Sequence, residues 1–407
     1  MSASLGSFVE VLTVFTRLGL TSFGGPVAHL GFFRAELVER RKWLSDDAYA
    51  DLVALCQFLP GPASSQVGIS LGYLRAGVGG ALAAWIGFTL PSAIALALFA
   101  AGVQLLGDVE GAAWLRGFKI VAVAVVAQAL WGMARQLTPD VPRIALAITA
   151  AAIALLWTSA LAQVAIIAGG AGIGVTLLRR LHQPATRRHE PVAPGGISRR
   201  TGIILLALFA AILLLSPMAR GLGTGEGSGT PAAAAVFDAF YRVGSLVFGG
   251  GHVVLPLLHA EVTVPGWVDQ ATFTAGYGAA QAVPGPLFTF SAFLGASMAP
   301  GAAGALLATV ALVAIFLPSF LLVLGILPFW QSLRQQPRLQ QALVGVNAAV
   351  VGLLLAALIH PVGSTTIAGL IDVALISLAY LALTRWRVTP WMVVLGGAAL
   401  TSLLGVI

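Results

Sequence analysis

Arg17 and Arg242 each stand about two helical turns before a glycine run, in the matching strings Arg17-x-Gly19-x-x-x-Phe23-Gly24-Gly25 and Arg242-x-Gly244-x-x-x-Phe248-Gly249-Gly250. A helix that restarts after such a break directs free N–H groups and a positive dipole end outward, and a nearby guanidinium would add a full charge. That combination suits a small anion. A second pair of breaks follows, Gln57-x-x-Pro60-Gly61-Pro62 and Gln281-x-x-Pro284-Gly285-Pro286. Each carries an amide able to bond a ligand or to satisfy freed carbonyls. Four proton-carrying side chains accompany the breaks: His29 and His252 just past the glycine runs, and Glu36 and Glu261 at matching places farther along. These four are candidates for coupling or gating. Plainer roles compete for the same residues. Asp238, four residues before Arg242, can neutralise it, Glu36 shares a loop with Glu39 and four basic residues, and a buried histidine can serve as an internal hydrogen-bond partner.

The elements that must position these residues are apolar helices. Of 407 residues, 58% are hydrophobic and 9% charged, with a mean hydropathy of +0.94, whereas a soluble domain is about a quarter charged. The composition predicts an all-α polytopic membrane protein. One cysteine excludes a disulfide framework and any multi-cysteine metal centre. Neither of the two lysines, Lys42 and Lys119, follows a phosphate-loop glycine pattern, and no nucleophile–base pair stands out. Gly68-Ile-Ser70-Leu-Gly72 matches a hydrolase elbow but lacks the strand-to-helix context that motif needs. No catalytic residue, metal or cofactor is expected. The net charge of +7 comes without a basic domain or interleaved aromatics, so no nucleic acid is expected either.

A bilayer core takes about 20 apolar residues per helix. Continuous stretches near that length lie at 78–106, 117–134, 142–158, 160–178, 201–217, 302–328, 341–359, 366–383 and 390–406. Four more regions, 8–33, 48–76, 232–260 and 271–299, are cut by the four motifs into pieces of about a dozen residues, too short to cross singly. They read as re-entrant hairpins or discontinuous helices. Arg17, inside the first apolar stretch, makes that stretch a poor signal peptide. Asp372, within a long apolar segment, reads as either near the outer surface or functional.

The matches extend beyond the breaks. Trp43 pairs with Trp267, and Leu90-Pro91-Ser92 with Leu317-Pro318-Ser319, at a nearly constant offset. The chain therefore reads as a tandem duplication: an N-terminal repeat at 1–180, a basic linker with one connecting helix at 181–224, and a C-terminal repeat at 225–407. Arg34, Arg40, Arg41 and Lys42 follow the first broken region, while their counterparts at 261–269 include no Lys or Arg. The positive-inside rule puts the first loop in the cytoplasm and the second outside. With that threading, every one of the 22 Lys and Arg residues except Arg17, Arg116, Lys119, Arg220 and Arg242 is cytoplasmic. Inverted-topology repeats with broken helices are the pattern of secondary transporters, whose substrates bind where the broken elements meet.

Ser22-Phe-Gly-Gly-Pro-Val-Ala-His29, Trp43, Pro60-Gly-Pro62 and the spaced glycines up to Pro91 resemble the chromate ion transporter family in its long two-domain form. The second half repeats the pattern with Phe248-Gly-Gly-Gly-His252, Trp267, Pro284-Gly-Pro286 and Pro318. The resemblance is dense at 15–92 and 240–320. It implies a multi-pass protein of the bacterial inner membrane that exports chromate and confers resistance. Sulfate or another tetrahedral oxyanion, and a passive anion channel, are the alternatives. The expected substrate-binding set is Arg17, Phe23, Gly24, Gly25, Gln57, Pro60, Gly61 and Pro62, with Arg242, Phe248, Gly249, Gly250, Gln281, Pro284, Gly285 and Pro286. The lipid bilayer is the other partner. A homodimer stays open, because the small-xxx-small pair Gly170 and Gly174 can equally pack inside one chain.

Overall fold

The computed structural model describes residues 5–23, 25–106, 113–157, 160–178, 196–221, 230–248, 253–333, 336–364 and 366–404. Among these there are helices and turns and no strand. The first half runs α1 (Leu5–Thr21), α2 (Gly25–Phe33), α3 (Asp46–Phe58), α4 (Ala63–Leu106), α5 (Ala113–Leu137), α6 (Val141–Leu156) and α7 (Ala160–Thr176). Helix α8 (Arg199–Gly221) follows. The second half runs α9 (Ala233–Leu246), α10 (Val254–Leu258), α11 (Gln270–Ala282), α12 (Phe290–Ser297), α13 (Gly301–Ile326), α14 (Trp330–Leu333), α15 (Pro337–Ala357), α16 (Leu370–Thr384) and α17 (Pro390–Leu404).

Five helical stretches are long and apolar enough to cross a bilayer. Leu98, Leu105, Leu156, Leu214 and Leu403 stand in the open on the outer faces, a surface suited to acyl chains. The protein is an all-α, multi-pass membrane protein.

The helices stop where the motifs interrupt them. Helix α1 ends before Phe23, and α3 ends just ahead of Pro60-Gly-Pro62. In the second half α9 ends before Phe248 and α11 before Pro284. Helices α3 and α11 have 13 residues each, about 20 Å at 1.5 Å per residue, short of a core about 30 Å thick. Helix α1, with 17 residues, is longer than the dozen expected. Helix α4 is not one rod, because Ala76 and Gly77 leave helical geometry and turn the chain, with Gly77 at φ 63°. The join between α12 and α13 turns at Gly301 with φ 61°.

Small residues let the long helices close on one another. Gly19 of α1 lies against the backbone of Gly87 and Phe88 in α4, and Gly244 of α9 against the Ile315 backbone in α13. The two halves then exchange partners. Helix α5 packs on α16 and α17, while α15 packs on α6 and α7. Gly117 meets Gly397 and Ala398 in the first contact, and Gly345 meets Gly170 and Gly174 in the second. The Gly170–Gly174 pair therefore packs inside this chain, against α15.

The loop after each glycine break also has a matching shape. A π-helical turn occupies Arg34–Arg40 and another His259–Thr263. The Trp43 N–H donates to the Leu37 carbonyl at 2.8 Å, and the Trp267 N–H to the Val262 carbonyl at 2.9 Å.

Candidate functional site

The four breaks meet in crossed pairs. The Gly61 N–H donates to the Val247 carbonyl at 2.6 Å, and the Gly285 N–H donates to the Ser22 carbonyl at 3.0 Å. Each bond ties the Pro-Gly-Pro of one half to the residue preceding the Phe-Gly of the other. Proline has no N–H, so each glycine is the sole main-chain donor of its tripeptide. Both adopt positive φ, 118° for Gly61 and 103° for Gly285. Space is equally restrictive: a Cβ on Gly61 would meet Gln66 Nε2 at 2.6 Å and Ser319 Oγ at 2.8 Å, and one on Gly285 would meet Ser92 Oγ at 2.8 Å. Ser92 and Ser319 are the serines of the two matching Leu-Pro-Ser strings.

Around these contacts lies a buried polar cluster. Gln66 Nε2 donates to the Pro60 carbonyl at 2.6 Å. His29, on α2, is 1% exposed, with Nδ1 3.3 Å from Ser64 Oγ and its ring edge-on to Phe88 at 5.2 Å. On the segments that form the crossing or flank it, several side-chain atoms are buried and make no hydrogen bond among the described residues: Ser22 Oγ, His29 Nε2, Ser65 Oγ, Gln66 Oε1, Thr89 Oγ1, Ser319 Oγ and, on the second-half break, Gln281 Nε2. Buried orphan polar atoms are rare in native proteins, and each costs about 1–3 kcal/mol. No Lys or Arg is among these groups. The polarity is also lopsided, since His29 and Ser64 correspond to Val254 and Phe288 in the repeat.

The structure sorts the expected residues. Gly61, Pro62, Pro60, Gly285, Pro284, Pro286 and Gln281 belong to the crossing or its edges. Phe23 packs beside Trp391, ring centroids 6.0 Å apart, and Gly25 opens α2. Gln57 is exposed, and the amide that contacts its break is Gln66. Arg17 is not brought to the crossing: it lies on the exposed face of α1, in a shallow groove lined by α1 residues alone. Arg242 is held by an ion pair with Asp238 and by Glu261 Oε1 at 3.2 Å, and Asp238 also accepts from Ser216 Oγ of α8 at 2.6 Å. Glu261 is buried in that cluster. Glu36 pairs with Arg41 at 2.7 Å and Arg40 at 3.0 Å. Gly24, Gly249, Gly250 and His252 lie outside the described residues.

Several groups escape sequence reasoning. The serines of the two Leu-Pro-Ser strings show in sequence only as matching positions, and Ser64-Ser65-Gln66 closely follows Pro62. Asp51, buried on α3, accepts from Trp330 Nε1 of the second half at 3.1 Å. Asp372 is buried and structural: it pairs with Arg116 at 2.8 Å and accepts from the Ala368 N–H at 2.8 Å ahead of α16. Ser70, of the apparent elbow, sits within helix α4 and donates to the Gln66 carbonyl.

Interrupted apolar helices that join through paired backbone bonds beside buried polar side chains define a polytopic membrane protein built around an internal crossing. The chromate transporter family model matches it twice, over residues 9–175 and 234–402, and the chain belongs to that family. It is 27% identical to the chromate transport protein of Pseudomonas aeruginosa, over 89% of this chain and 80% of the relative. It is likewise 27% identical to that of Cupriavidus metallidurans, over 97% and 92%. An uncharacterized transporter of Methanocaldococcus jannaschii is 25% identical, over 87% and 84%. No solved structure matches.

Proposed function

We propose that the protein is a secondary active transporter that expels a tetrahedral oxyanion, chromate foremost, across the bacterial inner membrane and so confers resistance. One observation supports this reading: the bonds Gly61–Val247 and Gly285–Ser22 tie each Pro-Gly-Pro break to the Phe-Gly break of the other half, beside buried polar atoms that have no partner among the described residues. A dianion such as chromate presents acceptors in every direction, and the hydroxyls of Ser22, Ser65, Thr89 and Ser319 can all donate to it. The starts of α2 and α4 add oriented N–H groups. The names of the Pseudomonas and Cupriavidus relatives support chromate as the first substrate to test. On this reading the crossing, without Arg17 or Arg242, holds the substrate.

The two halves are read as inverted repeats, with the Arg34–Lys42 loop in the cytoplasm and its counterpart at 261–269 outside. Rocking one half against the other would exchange access to the crossing. A dianion leaving a negative cytoplasm gains about 4.6 kcal/mol per 100 mV, or about 2.3 kcal/mol where one proton leaves with it, so the membrane potential favours efflux in either case. The test is counterflow in liposomes preloaded with unlabelled chromate. Transient accumulation of labelled chromate supports a transporter. Flux without counterflow makes the protein a channel, preference for sulfate or molybdate reassigns the substrate, and no oxyanion movement at all overturns the reading.

A further inference from the structure

We propose that His29 takes up one proton as the oxyanion binds and gives it up when the oxyanion leaves. This inference rests on the crossing being the oxyanion site. The crossing surrounds its ligand with neutral dipoles, and a buried dianion without a counter-charge is strongly disfavoured. His29 is the group there that can acquire a positive charge. Its Nδ1 lies 3.3 Å from Ser64 Oγ, while Nε2 is buried and makes no hydrogen bond among the described residues. With Nδ1–H donating to Ser64, the Nε2 lone pair is left to accept a proton.

The surrounding ionisable groups do not serve instead. The elements packed against α2 are the π-helical turn at Arg34–Arg40 and helix α4. Arg34 is paired with Glu39 and Asp46, and Glu36 with Arg40 and Arg41. Arg75 of α4 is paired with Glu10 of α1, and Tyr73, also of α4, is neutral. Of the α3 side chains, Tyr49 donates to the Leu30 carbonyl at 2.7 Å, Asp46 pairs with Arg34, and Asp51 accepts from Trp330 Nε1. Arg17 of α1 is exposed on the outer face. Second-half groups in contact here, Gly285 with its flanking prolines, carry no charge.

The balance is simple. One proton from water adds to Nε2 as the dianion enters, the imidazolium and the anion together carry one negative charge, and no covalent bond to the anion forms. The counterpart position is Val254, so the stoichiometry is at most one proton per dianion.

Purified protein in lightly buffered detergent, mixed with chromate between neutral pH and the alkaline range where chromate is a dianion, tests the proposal with a pH-indicating dye. Wild type should take up about one proton per bound chromate, and its affinity should fall up to about tenfold per pH unit. His29→Gln and His29→Asn should bind chromate at least about tenfold more weakly near neutral pH, with no proton uptake and a flat pH profile for the binding that remains. Monodispersity and melting temperature report that they are folded; wild-type affinity in either folded variant overturns the proposal. Binding without proton uptake in wild type, or unchanged uptake in either folded variant, overturns the role of His29. If both variants fail to fold, proton uptake and the pH profile of wild type alone decide. Failure of wild type to bind chromate overturns the site reading on which the proposal stands.

Discussion

The Gly61 N–H lies 2.6 Å from the Val247 carbonyl, a main-chain bond between segments almost two hundred residues apart. Its partner bond, Gly285 to Ser22, runs in the opposite sense between the halves. Because donor and acceptor are both backbone, only proline at the donor position, which removes the N–H, or a change that moves the loop can break either bond, which makes the glycines the informative positions.

Gly61→Ala and Gly285→Ala should each abolish oxyanion transport and destabilise the protein by about 1–3 kcal/mol, from positive φ and from the clash with Gln66, Ser319 or Ser92. Melting in detergent and liposome flux are the readouts. Wild-type behaviour of both variants would mean that the crossing is neither tight nor used.

The two arginines should separate cleanly. Arg17→Ala, on the exposed face of α1, should keep chromate affinity within about twofold, a surface-like outcome. Arg242→Ala leaves Asp238 and Glu261 buried without their guanidinium and should cost about 3–5 kcal/mol of stability. Loss of binding in a well-folded Arg17→Ala protein would return that residue to the site.

Acid should weaken the Arg34–Arg40 turn through Glu36. Burial pushes its carboxyl up, but hydrogen bonds and charges from Arg41 and Arg40 outweigh that effect and hold it below its ordinary value. A carboxyl depressed in the folded state stabilises the protein above its unfolded pKa, and that contribution disappears as pH falls through the folded pKa. Glu36→Gln should therefore melt lower than wild type at neutral pH and lose less on acidification. Parallel melting curves for the two proteins would show that the pairing contributes nothing.

Topology can be read by thiol labelling. Cys56 is the sole cysteine and is buried, so a Cys56→Ser background leaves a blank surface. In intact cells an impermeant maleimide should react with Val264→Cys, and with Glu39→Cys only after permeabilisation. Equal reactivity of the two would exclude inverted halves.

The legible part of this molecule was the part governed by chain breaking. Proline and glycine act locally, so Pro60-Gly61-Pro62 and Pro284-Gly285-Pro286 announced helix ends that the structure contains. Buried charge was less legible. Arg17 and Arg242 share a motif, yet Arg242 has Asp238 one turn away and Glu261 across the packing, whereas Thr13 stands in the acid's place beside Arg17 and the side chain lies on an outer face. Which way a helix faces is decided by its neighbours, and no single-helix pattern fixes that. The same limit hid Gln66 behind Gln57 and concealed Ser319, which approaches Gly61 only through tertiary packing.

The exchange of partners between α5 and α15 bears on biosynthesis. When α6 and α7 leave the ribosome, the helix they will settle against, α15, has not yet been made. Nascent α5 likewise waits for α16 and α17. Neither half can complete its own packing during translation, so the final helices to emerge close the structure. Truncation near the C-terminus should accordingly expose α5 to quality-control proteases, while two halves produced as separate polypeptides retain the surfaces needed to find each other in the membrane.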